Sequence, residues 1–153
     1  MEDLAMLLAR PAPPAIERRL VGTWRLESFL LEDARTRERR PVLGEHPEGY
    51  LVFTPEGRVI SVITAEGRPV PKSDADRADA FRSMLAYAGR WRVDGDRFVA
   101  EVEVAWDETL VGTEQVRFFT IDGDRLSIET APQLTVAGAG GDARGIVTWQ
   151  RAR

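Results

Sequence analysis

Tyr87, Gln115 and Arg117 occupy positions that alternate with solvent-facing residues in otherwise apolar segments, and a phenol, an amide and a guanidinium facing one apolar interior can hold an oxyanion. Arg117 is the sharpest of the three. Within Thr113-Glu114-Gln115-Val116-Arg117-Phe118-Phe119-Thr120-Ile121 it shares a face with Phe119 and Ile121 by period-two counting. A guanidinium on that face must find an acceptor, because an unpaired buried charge is expensive. Two kinds of acceptor answer. One is a ligand carboxylate, phenolate or enolate oxygen, with Tyr87 and Gln115 orienting the same molecule. The other is the protein itself, through backbone carbonyls or an inward-turned carboxylate such as Asp107 or Glu108.

The rest of the chain offers little other chemistry. It has no cysteine and one histidine, His46, which precedes Pro47 in a polar loop and reads as solvated surface. No Ser-His-Asp arrangement, metal-ligand set or interior carboxylate pair is legible, so hydrolase, kinase and metalloenzyme readings have no support; neither a metal nor a cofactor is expected. Gly138-Ala139-Gly140-Gly141 lacks the lysine and the strand-to-helix context of a phosphate loop. Two functions remain. The first is binding of a small hydrophobic ligand, anionic, phenolic or enolic, in an internal cavity. The alternative is a cofactor-independent isomerase or cyclase, with Arg117 and Tyr87 as candidate catalytic residues stabilising developing negative charge. Binding comes first, because catalysis needs more than a pocket.

These residues are positioned by the run from Tyr87 to Thr130. Its four alternating segments are joined by Val93-Asp94-Gly95-Asp96-Arg97-Phe98 and Ile121-Asp122-Gly123-Asp124-Arg125-Leu126, and Asp-Gly between such segments signals a hairpin. Pairing Val93 with Phe98 and Ile121 with Leu126 fixes both faces. The interior then holds Tyr87, Gly89 and Trp91; Phe98, Ala100, Val102, Val104 and Trp106; Gln115, Arg117 and Phe119; Ile128 and Thr130. The same register sets Arg90 opposite Glu101, Val102 beside Arg117, and Gly89 one strand further on, leaving room at the guanidinium. With Ser61 from a neighbouring strand, the expected ligand contacts are Arg117, Gln115, Tyr87, Trp91, Trp106, Phe119, Val102, Ser61 and Thr130.

Read in order, residues 1–19 form a helical tail and proline-rich linker, and residues 20–153 a single β domain. Met1 to Ala9 is apolar but opens with acids and is too short to span a bilayer, and Pro11, Pro13 and Pro14 end it before a helical turn at Ala15 to Arg19. A first strand from Gly22 places Trp24, Leu26, Ser28 and Leu30 on one face. Asp33 to Arg40 reads as a charged connection and Pro41 to Gly49 as a loop. Tyr50–Thr54 and Arg58–Thr64 form a hairpin through Thr54-Pro55-Glu56-Gly57. Ser73-Asp74-Ala75-Asp76 starts the one internal helix, whose Ala78, Phe81, Met84 and Leu85 recur at helical spacing, and which either plugs the barrel or lids it. A Gly- and Ala-rich loop over Ala131–Asp142 leads to a last strand at Ile146–Arg151.

The fold this implies is all-β: an eight-stranded up-and-down antiparallel barrel with one internal helix and a short N-terminal helix, closed on itself to avoid raw edges. At 153 residues and 43% apolar content the chain can bury a core. Its net charge of −4, with both signs interspersed, argues against nucleic acid and anionic membranes as partners; the expected partner, from the polar groups of the interior, is a small molecule. A cytoplasmic location is expected. Nothing in the sequence states the oligomeric state.

Several stretches resemble the bacterial and fungal lipocalin-like domain family. Gly22-Thr23-Trp24 is similar to the Gly-x-Trp signature of lipocalins. Gly49-Tyr50-Leu51-Val52-Phe53-Thr54-Pro55-Glu56-Gly57-Arg58, Ala88-Gly89-Arg90-Trp91, Gly112-Thr113-Glu114-Gln115-Val116-Arg117 and Trp149-Gln150-Arg151 look like that family's motifs, and the likeness runs from about Leu20 to Arg151. It implies a barrel around a ligand cavity, with some members in natural-product pathways and hence polyketide-like or similar small molecules of secondary metabolism. The family often carries a histidine at the position of Ala100, so chemistry using that imidazole is absent from this chain. Trp24 and Arg151 resemble the lipocalin pair in which an arginine covers the signature tryptophan at the closed end.

Overall fold

A computed structural model describes residues 15–130 and 143–153. The apolar N-terminal stretch, the prolines after it and the Ala131–Asp142 loop lie outside these residues. The chain opens with helix α1 (Ala15–Leu20) and strands β1 (Gly22–Asp33), β2 (Arg39–Pro41), β3 (Glu48–Phe53) and β4 (Arg58–Thr64). Helix α2 (Asp74–Arg82) precedes β5 (Met84–Asp94), β6 (Arg97–Ala105), β7 (Glu114–Asp122), β8 (Arg125–Thr130) and β9 (Ala143–Arg151). Strands β1 and β3 to β9 follow one another around a wall, and β1 pairs back onto β9, closing an eight-stranded antiparallel barrel. The short β2 continues the flank of β1 that β3 leaves uncovered. Among the described residues no helix is long and apolar enough to cross a membrane.

Turn chemistry sets the hairpins. Gly95 and Gly123 lie at φ 65° and 60°, each the first of two turn residues, and a glycine adopts positive φ without the Cβ clash other residues incur. Val93 pairs with Phe98, Ile121 with Leu126 and Arg90 with Glu101, as the turns require. The ion pairs on that outer face run diagonally: Arg92 reaches Glu101 at 3.1 Å and Arg90 reaches Glu103 at 3.8 Å.

One end of the barrel is solid. Trp24, Leu20, Phe53, Phe98 and Leu126 are all but fully buried there, and the Trp24 Nε1–H donates to Leu20 O. Arg151 pairs with Trp24 across β9 and β1, lies 4.1 Å over its ring, and donates to the carbonyls of Val21 and Arg19. The arginine thus caps the tryptophan and satisfies the carbonyls that end α1.

The other end departs from period-two counting. A bulge between Leu26 and Ser28 adds one residue to β1, so Phe29 and Leu31 turn inward in place of the expected Ser28 and Leu30. A second bulge between Ala88 and Gly89 puts Val104 opposite Ala88 on the outside, 61% exposed, where the interior was expected. Gly89 does not leave room beside a guanidinium: a Cβ there would stand 1.7 Å from Glu101 O, so the missing side chain is filled by the bulging backbone of β6. Between β6 and β7 the register is shifted by four residues, with Arg117 opposite Phe98 instead of beside Val102. The cause lies in the connection. Asp107 accepts from Thr109 N and Thr109 Oγ1, Gly112 sits at φ 82°, and Val102 N–H bonds Thr113 O, so the chain folds back before the last β6 residues pair.

Asp33 to Arg40 is also more ordered than a charged connection. Asp33 Oδ1 accepts from the amides of Arg35 and Thr36, turning β1 into β2. Glu32, 3% exposed at its side chain, receives Arg37, Arg39 and Arg144, and these three guanidiniums hold its carboxyl at about 2, well below the usual range near 4.5. Finally, α2 ends at Arg82, so Met84 and Leu85 belong to β5 instead of the helix.

Candidate functional site

Above the solid end the barrel encloses a cavity of about 470 Å³ with mainly apolar walls, within the range of sites that take small molecules. Six of the expected contacts line it: Arg117, Gln115, Tyr87, Trp106, Ser61 and Thr130. Three stand elsewhere. Trp91 meets Phe53 edge-on at 5.0 Å and donates its indole N–H to Thr54 O; Phe119 packs on Phe98 at 6.0 Å; Val102 is buried opposite Gly89 at the bulge. These belong to the packed wall and floor.

The lining also includes residues that the alternation of the sequence does not reveal. Phe29 enters through the β1 bulge, Val42 and Leu43 from the loop after β2, and Met84 and Leu85 from the start of β5. An apolar pair inside the polar loop Pro41–Gly49 was the one local signal available for Val42 and Leu43. For Phe29 there was none, because a bulge leaves no mark in the alternation that precedes it.

Helix α2 reaches the open end with its C-terminal residues. Its N-cap Ser73 accepts from Asp76 N at 3.1 Å, and none of its residues is buried. Phe81 and Arg82 reach the cavity mouth, Phe81 stacks against Trp106 at 5.8 Å, and the Trp106 indole N–H donates to Phe81 O at 3.1 Å. The helix meets the mouth through its last two residues, Phe81 and Arg82.

Arg117 faces the cavity from β7, half-buried, opposite Thr130 on β8 and opposite Phe98 on β6. Its NH1 donates to Val116 O and its NH2 to Gln115 Oε1, both at 2.9 Å. Among the described residues it has no carboxylate partner; Asp107 lines the mouth and commits its carboxylate to Thr109. Enclosure by protein pulls the guanidinium pKa down, with Tyr87 opposing the shift. Burial in turn pushes the Tyr87 phenol up, partly offset by the Arg117 charge, so at neutral pH the pair is a cation beside a protonated hydroxyl. Ser61 pairs with Tyr87 across β4 and β5, adding a second hydroxyl to that row.

Residues 21–152 match the family described as lipocalin-like domain. The chain belongs to the lipocalin-like domain family. No curated protein matches it. In the lipocalin-like barrel the Trp24–Arg151 pair closes one end and the cavity opens at the other, an architecture that suggests binding of small hydrophobic ligands in general.

Proposed function

We propose that this lipocalin-like barrel binds a small hydrophobic molecule carrying an anionic oxygen, a carboxylate, phenolate or enolate, with Arg117 as its counter-charge. The observation that carries the reading is the state of Arg117: a guanidinium enclosed in an apolar cavity whose only acceptors among the described residues are two neutral oxygens. A cation desolvated to that degree gains more from an anion than a solvated one does, because the low local dielectric strengthens the pairing. Tyr87 and Ser61 supply hydroxyl donors for the same head group, and Trp106 with Phe81 covers the apolar body.

The test compares 2-naphthoic acid with 2-naphthamide, which share a shape and differ in charge, by quenching of tryptophan emission. The acid should bind more tightly. Arg117→Gln should lower its affinity about ten- to 150-fold, the equivalent of a charge-assisted hydrogen bond worth roughly 1.5–3 kcal/mol, and leave the amide nearly unchanged. Equal affinities for both probes in both proteins would reject the reading.

A second reading rests on Tyr87. A phenol kept protonated beside a cation can donate to an oxygen that gains charge, which is what a cofactor-independent isomerase or cyclase would use. With a candidate polyketide-like substrate, that reading requires product formation above the uncatalysed background.

A further inference from the structure

Thr113, just before β7, and Gln115 and Arg117 within it occupy alternate positions, and their side chains form one unbroken sequence of donors and acceptors. Arg117 NH2 donates to Gln115 Oε1 at 2.9 Å, Gln115 Nε2 donates to Thr113 Oγ1 at 2.8 Å, and Thr113 Oγ1 donates to Leu110 O at 2.6 Å. Every proton points the same way, from the cavity toward the mouth, and hydrogen bonds in such a series polarise one another. The last acceptor belongs to the 3₁₀ turn Glu108–Leu110, whose residue Leu110 lines the mouth and whose start is held by the Asp107 carboxylate.

This arrangement engages both ends of the Gln115 amide with its neighbours. Its carbonyl accepts from the arginine and one of its two N–H groups donates to the threonine, so the orientation of the amide is set by these neighbours. What remains available is Arg117 itself. Two of its five N–H donors are used, by Val116 O and Gln115 Oε1, and among the described residues the other three have no acceptor. An arginine free in a cavity would sample many rotamers and lose that freedom on binding; one already held in place loses little more.

We propose that Gln115 and Thr113 are positioning residues, which fix the Arg117 guanidinium against the cavity wall with three donors presented to the ligand and couple its placement to the mouth turn. The neutrality of Gln115 is part of the device. A glutamate would hold the guanidinium equally well and would neutralise it, whereas glutamine holds it and leaves its charge for the ligand. This positioning role rests on the anion-binding reading of the cavity.

The test uses the full chain, the same naphthoic acid and naphthamide pair, and the guanidinium resonances of Arg117 in nitrogen-15 NMR without any ligand. Gln115→Leu and Thr113→Val should each reduce the preference for acid over amide about two- to tenfold, the cost of immobilising one long side chain. Both should speed exchange of the Arg117 Nη2 protons, which Gln115 Oε1 holds, with water. Gln115→Glu, which keeps shape and hydrogen bond, should erase the acid preference while leaving the Nη2 protons protected. If Arg117→Gln abolishes acid preference but the Gln115→Leu and Thr113→Val variants bind and exchange as the unmodified protein does, the positioning role is rejected and the anion reading stands. If the unmodified protein shows no acid preference, the anion reading fails, and with it the selectivity role of Gln115, even where Nη2 proton protection still depends on that residue. Thermal melts identify a variant that fails to fold; in that event Gln115→Glu, the isosteric change, decides the matter by whether acid preference survives.

Discussion

Two arginines facing the interior of the same barrel are treated in opposite ways. At the closed end Arg151 lies over the Trp24 ring, donates to two carbonyls and has Asp124 at 3.5 Å, so its charge and its donors are used by the protein. In the cavity Arg117 has a carbonyl, a side-chain amide and space. The difference separates a cation whose charge is engaged by the fold from one with no carboxylate partner among the described residues. Packing density follows the same division, with the Trp24, Phe53 and Phe98 cluster on one side and about 470 Å³ of cavity on the other.

The largest effect that sharpens this contrast is on stability. Trp24→Ala removes a fully buried indole and the surface that Arg151 covers, and should cost about 3–5 kcal/mol in chemical denaturation. Arg117→Met should fall within about 1 kcal/mol of the unmodified protein or exceed it, because it deletes a desolvated charge and leaves Gln115 facing a cavity able to hold water. A large loss on Arg117→Met would place that residue with Arg151 among the structural cations and break the comparison.

A smaller effect tests the third charge cluster, where one carboxylate serves three guanidiniums. Glu32 has a folded pKa of about 2 against an ordinary value near 4.5, so its contribution is present above pH 4.5 and is lost as pH falls through 2. The melting temperature should therefore fall more steeply between pH 5 and 2 in the unmodified protein than in Glu32→Gln. Parallel profiles would show that the cluster does not act as a unit.

The closed end was legible in the sequence because its signals are local. Asp94-Gly95 and Asp122-Gly123 fix two hairpins within a few residues, and the resemblance of Gly22-Thr23-Trp24 and Trp149-Gln150-Arg151 to lipocalin motifs implied the seal. The open end was not, since its shape depends on single inserted residues. An odd insertion reverses faces: the Ala88/Gly89 bulge turned Val104 outward, and the Leu26/Ser28 bulge brought in Phe29. An even shift preserves them. The four-residue displacement between β6 and β7 replaced Val102 by Phe98 as the neighbour of Arg117, yet left Arg117, Gln115 and Tyr87 facing inward. Face parity therefore survived where neighbour identity did not, and the roles proposed for these residues rest on their placement around one cavity.

The most direct test of the central claim is native mass spectrometry of the full chain purified from its own host, with Arg117→Gln prepared alongside. The account predicts a retained small hydrophobic molecule bearing an acidic oxygen on the unmodified protein and its loss from the variant. Retention of a neutral molecule in equal amounts by both proteins would contradict it.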